Sequence, residues 1–86
     1  MKHTTETDAF QRGVRPVVDP VLRAHSRFVL GYQPAPDLRA RIEELAEKST
    51  EGTLTAAERD EYAGYVRANK FVAMLQRLAR ELDRAA

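Results

Sequence analysis

The stretch Ser49-Thr50-Glu51-Gly52-Thr53-Leu54-Thr55-Ala56-Ala57-Glu58-Arg59-Asp60-Glu61-Tyr62 constrains the fold more than any other part of the chain. It ends one helix and starts the next within a few residues. Gly52 suits the left-handed backbone that terminates a helix, because it has no Cβ to clash. Three residues later, Thr55 and Glu58 stand at the spacing of a capping box. The Thr55 side chain accepts from the backbone N–H of Glu58, and the Glu58 carboxylate accepts from the N–H of Thr55. A connection this short turns the second helix back along the first. The expected architecture is therefore all-α and built on a helical hairpin, with Gly52, Thr55 and Glu58 as its structural caps.

The rest of the chain is read around that hairpin. Residues 1–15 are polar and lack a sustained period, which predicts a disordered tail. Asp19-Pro20 has the form of an N-cap followed by proline at the first helical position, so a short helix one is expected over about 20–30. The β-branched residues Val17, Val18 and Val21 keep a strand open as the competing reading. Gln33-Pro34-Ala35-Pro36 is a stiff connector. Helix two is expected over about 37–49, with Leu38, Ile42 and Leu45 on one stripe. Helix three is expected over about 55–83, with Tyr65, Ala68, Val72, Leu75, Ala79 and Leu82 as its seam. Gly64 and Asn69 are its weak points, each costing up to about 1 kcal/mol relative to Ala. Residues 16–86 then form a single small helical domain.

In helix three, Phe71-Val72-Ala73-Met74-Leu75 is apolar throughout, and at about 100° per residue it covers the whole circumference. One hairpin partner covers one face. Either helix one closes the remainder, or Phe71, Met74 and Leu78 form a surface for a symmetry mate or a foreign partner. At 86 residues the chain is just above the size at which a single core holds only about 3–5 kcal/mol. Self-association or a partner chain would supplement it.

Charge and chemistry narrow the function classes. Fourteen Lys and Arg against thirteen Asp and Glu give a net charge of +1, without the basic excess of a dedicated nucleic-acid binder. The charges are segregated: residues 43–61 carry seven acids against Lys48 and Arg59, while both flanking segments are basic. An acidic hairpin turn steers toward a basic partner. No cysteine, no oxygen-rich cation loop and no phosphate cradle are present, so no cofactor or metal is expected. His3 lies in the expected tail and His25 stands alone on helix one. Glu43 and Glu47 share a helical face but have no cleft, and read as a solvated surface. An enzyme is not expected. The longest apolar run is too short to span a bilayer, and no secretion signal opens the chain, so a cytoplasmic setting fits.

Several segments together resemble a widespread set of short, uncharacterised bacterial helical proteins. They are Val17-Val18-Asp19-Pro20, Glu44-Leu45-Ala46-Glu47-Lys48, Glu51-Gly52-Thr53-Leu54-Thr55, Glu58-Arg59-Asp60-Glu61-Tyr62, Tyr65-Val66 and Met74-Leu75-Gln76-Arg77-Leu78-Ala79-Arg80. Members of that set are often encoded beside a small HNH-type nuclease, in a toxin–antitoxin or immunity arrangement. Two positions depart from the pattern: Ala56, where the set usually has Pro, and Leu78, where Lys is common. The resemblance implies a non-catalytic, antitoxin- or immunity-like protein that neutralises a protein partner by occlusion. Tyr65, Phe71, Met74 and Leu78 would supply the apolar contact, with Glu43, Glu47 and Glu51 for steering. Two alternatives stand beside it. One is a nucleic-acid-binding transcriptional regulator using Arg12, Arg15, Arg23 and Arg27. The other is a structural homodimer in which helix three pairs with its copy.

Overall fold

The computed structural model describes residues 5–85, and all regular structure among them is helical. Four helices follow in order: α1 (Thr5–Ala24), α2 (Ser26–Gly31), α3 (Pro36–Glu51) and α4 (Ala56–Ala85). They divide into two compact units. One comprises Tyr32–Met74, which holds α3 and the first part of α4. The other comprises α1, α2 and the end of α4 from Leu75 onward. Among the described residues, the buried apolar side chains are Leu45 in the first unit and Leu22, Leu78, Ala79 and Leu82 in the second.

In the first unit the hairpin forms as its local chemistry dictates. Gly52 takes a left-handed φ of 74°. Its N–H donates to the Ser49 carbonyl at 3.2 Å, and the Thr53 N–H donates to Lys48 at 2.9 Å. These bonds satisfy carbonyls that the last turn of α3 leaves open. The capping box closes reciprocally. The Glu58 N–H donates to Thr55 Oγ1 and the Thr55 N–H donates to Glu58 Oε1, both at 3.0 Å. At the other end of α3, Pro36 occupies the first turn and Asp37 accepts from the Leu38 N–H at 2.9 Å. Helix α4 runs without interruption through Gly64 and Asn69.

In the second unit the N-terminal expectation is corrected. The chain is helical from Thr5, so residues 5–15 are not a disordered tail, and Asp19-Pro20 lies inside α1 rather than at its start. The strand reading of Val17, Val18 and Val21 falls with it. Residues 1–4, including His3, lie outside the described residues. Each of Pro16 and Pro20 removes a backbone donor, and each disfavours helix at the residue before it. Those two preceding residues, Arg15 and Asp19, are joined: Arg15 Nε donates to both carboxylate oxygens of Asp19 at 3.2 Å, across one helical turn. The packed positions of α1 are Gln11, Val14, Val18 and Leu22, a three-to-four spacing that turns one stripe inward. On α4 the covered positions of this unit are Leu75, Gln76, Leu78, Ala79 and Leu82. Gln76 Nε2 also donates to the Val29 carbonyl at 3.1 Å, fastening α4 to α2.

Candidate interaction surfaces

Helix α1 has a second apolar stripe that none of the described residues covers. Phe10, Val17 and Val21 are 51%, 71% and 54% exposed, and Phe28 on α2 is 72% exposed. The intervals are seven, four and seven residues, each of which returns to the same helical face. Helical bonding carries the register from α1 into α2: the His25 N–H donates to Val21 at 3.0 Å and the Val29 N–H donates to His25 at 3.1 Å. The sequence reading missed the full stripe because it placed Phe10 in a tail and left Val17 outside helix one, joining only Val21 and Phe28 on a common face. The seven-four-seven spacing was the available signal.

The four apolar residues expected to bind a partner fare differently. Phe71 is 47% exposed. It closes a run from Arg67 to Phe71 in which every residue is exposed, so all faces of the helix are bare there. Tyr65 and Met74 are half-buried. Leu78 is a correction: at 2% exposure it belongs to the core of the second unit and offers no surface. Of the expected steering residues, Glu43, Glu47 and Glu51 are all exposed and stand outside the ion pairs formed by the described residues.

The neighbouring acids are instead engaged within the hairpin. The Arg41 guanidinium meets Glu61 with two parallel hydrogen bonds, from Nε at 3.0 Å and from Nη2 at 2.8 Å. Its Nη1 reaches Glu44 Oε1 at 3.0 Å, while Lys48 Nζ donates to Glu58 Oε2 at 2.7 Å. The Tyr65 hydroxyl donates to Glu61 Oε2 at 3.0 Å. The paired, two-point geometry is the strongest form of such contacts. It ties Tyr65 and three of the acids to the fold rather than to a partner. Two of them, Glu58 and Glu61, are held below the ordinary carboxylate range. The cause is hydrogen bonding first from Lys48 for Glu58, and first from Arg41 for Glu61. The Tyr65 phenol is pushed up, chiefly because its neutral form donates to Glu61.

This arrangement predicts a pH dependence. The folded carboxylates take up protons less readily than the unfolded chain does, whose value is near 4.5. Their contribution is complete above that value and is lost as pH falls through the lowered folded values. The Glu58→Gln/Glu61→Gln double variant is expected to lose stability less steeply than the parent between about pH 5 and about pH 3, measured by urea midpoints. Gln still serves the capping box at position 58. Equal acid slopes in the two proteins would refute this role.

Of the four arginines considered for nucleic acid, Arg12, Arg23 and Arg27 are exposed. Arg12, Arg15 and Arg23 line an open concavity along α1 that also contains Asp8 and Asp19, and Arg15 is paired with Asp19. Among the described residues no group of three or more His, Asp or Glu side chains could hold a metal ion. No helix among them is long and apolar enough to cross a membrane. No protein-family model, no curated protein and no solved structure matches the chain.

Proposed function

We propose that this chain is a non-catalytic interaction protein, antitoxin- or immunity-like, that binds a protein partner and neutralises it by occlusion in the cytoplasm. The observation that supports this reading is the ratio of core to exposed apolar surface. Five apolar side chains are buried among the described residues, whereas five large apolar side chains other than tyrosine, Phe10, Val17, Val21, Phe28 and Phe71, stand about half exposed or more. Scattered apolar residues are normal on a surface. An exposed set equal in number to the buried one is the composition of a docking protein. Phe71, on a stretch of helix bare on all sides, has the form of an anchor for a pocket on the partner. Glu43, Glu47 and Glu51 supply an unpaired acidic surface that favours a basic partner. Nucleases have basic substrate channels, and an HNH-type nuclease is the partner that the resemblance implies.

Co-expression with the nuclease encoded beside such a protein tests the reading. The parent chain is expected to restore growth and to co-elute with the nuclease. Phe71→Asp is expected to weaken binding by about thirtyfold, the effect of losing a central anchor worth about 2 kcal/mol. Unchanged rescue and co-elution by a folded Phe71→Asp chain would remove Phe71 from the interface. Absence of any binding by the parent would overturn the reading itself.

A further inference from the structure

We infer that α4 carries a built-in joint over residues 67–71. The helix opens there locally, while the hairpin and the unit of α1, α2 and the end of α4 each keep their own fold. The inference holds whether or not Phe71 anchors a nuclease.

Burial on α4 stops at this stretch. Helices in a small protein are held mainly by the apolar face that they pack, and little by their backbone alone. On the N-terminal side of the joint, Tyr62, Tyr65 and Val66 are half-buried, and the Tyr65 hydroxyl donates to Glu61. On the C-terminal side, Leu78, Ala79 and Leu82 are buried, and Gln76 donates to the Val29 carbonyl. Between these anchors every residue from 67 to 71 is exposed. Among the described residues, the only other helical stretch of five or more exposed in this way is the opening of α1. The side chains of Arg67, Asn69 and Lys70 form no hydrogen bond or ion pair among the described residues. The boundary between the two compact units falls just beyond, between Met74 and Leu75. Few apolar contacts and a solvent-exposed backbone are the features of segments that open on their own.

The residues themselves add little to the helix. Asn69 and Phe71 are weak helix formers, and an asparagine side chain competes for backbone groups. Continuity with the packed ends is what keeps the stretch closed. Opening an interior segment makes two helices of one, so helix has to be nucleated a second time, at a factor of about 10⁻³. The two weak formers offset part of that factor, and the open form is populated at about one molecule in several hundred. No buried leucine is uncovered in the process. A break at Leu78 or Leu82 would uncover one.

Such a segment is a two-state element. A ligand that grips it as helix shuts the joint, and one that takes it extended holds it open. Each shifts the balance by its difference in affinity for the two forms. Phe71 lies on this segment, so the way it is presented depends on the joint.

Amide hydrogen exchange of the full chain, read residue by residue by NMR, tests the inference. The amides of residues 69–73 make helical bonds that span the joint. They are expected to show protection of about 10²–10³ that hardly changes at low urea, the mark of an opening that exposes little surface. The amides of residues 78–82 are expected to be at least about tenfold better protected and to lose protection as urea rises. Leu78→Val removes one buried methylene. It is expected to lower protection at residues 78–82 about fivefold and to leave residues 69–73 unchanged. Equal protection in the two stretches overturns the proposal. So does exchange at residues 69–73 that responds to urea as steeply as at residues 78–82, or that loses protection in step with them in Leu78→Val.

Discussion

The Leu78→Asp variant is expected to unfold the unit formed by α1, α2 and the end of α4, while Phe71→Asp leaves the fold intact. Both residues lie on one stripe of α4, seven apart. Their surroundings differ completely. Leu78 is 2% exposed beside Ala79 and Leu82, whereas Phe71 is about half exposed. A carboxylate placed at position 78 loses its water and gains no cation. That penalty is several kcal/mol, in addition to the roughly 2–3 kcal/mol lost with the leucine. The total is comparable to the whole stability of a small domain. At position 71 the carboxylate stays hydrated, and the change is expected to remain within about 1 kcal/mol. Urea denaturation followed by circular dichroism distinguishes the two. The milder Leu78→Ala is expected to cost about 2–5 kcal/mol and keeps the comparison measurable if the aspartate variant does not fold. A Leu78→Asp chain as stable as the parent would refute the core assignment.

The same pair shows where sequence reasoning stops. Periodicity places Phe71, Met74 and Leu78 on a common stripe, and nothing in it says which part of the stripe another helix covers. That depends on α1, whose extent on the N-terminal side of Pro20 was hidden. Pro16 and Pro20 read locally as the opening of a helix, because proline is favoured in a first turn and costly within. In the structure both sit inside α1, where the Arg15–Asp19 pair spans the interruption and Val18 and Leu22 pack inward. Tertiary burial outweighs a local preference here. The hairpin was legible for the opposite reason. Gly52, Thr55 and Glu58 act on backbone groups within a few residues of themselves, so their roles survive any change in the rest of the fold. The ion pairs of Arg41 and Lys48 fall between these cases. Their acids were visible as a cluster, but the choice of Glu44, Glu58 and Glu61 over Glu43, Glu47 and Glu51 follows from which face of α3 the hairpin turns toward α4.

Leu45→Ala is expected to be the most damaging single truncation in the Tyr32–Met74 unit, at about 3 kcal/mol. Leu45 is the one fully buried side chain there, at 0% exposure. The cost of such a truncation ranges over about 2–5 kcal/mol, set by how far the surroundings collapse into the space left behind. Leu38, Ile42, Leu54, Tyr62 and Val66 are half-buried and retain some freedom to shift, which places the value in the middle of that range. The ion pairs of the hairpin cannot compensate, because they are only part-buried, and pairs still reached by water contribute little beyond fixing geometry. Native-state hydrogen exchange locates the loss: amides of α3 are expected to lose protection first. An effect below about 1 kcal/mol would mean that the capping bonds, and not the leucine, hold the hairpin closed.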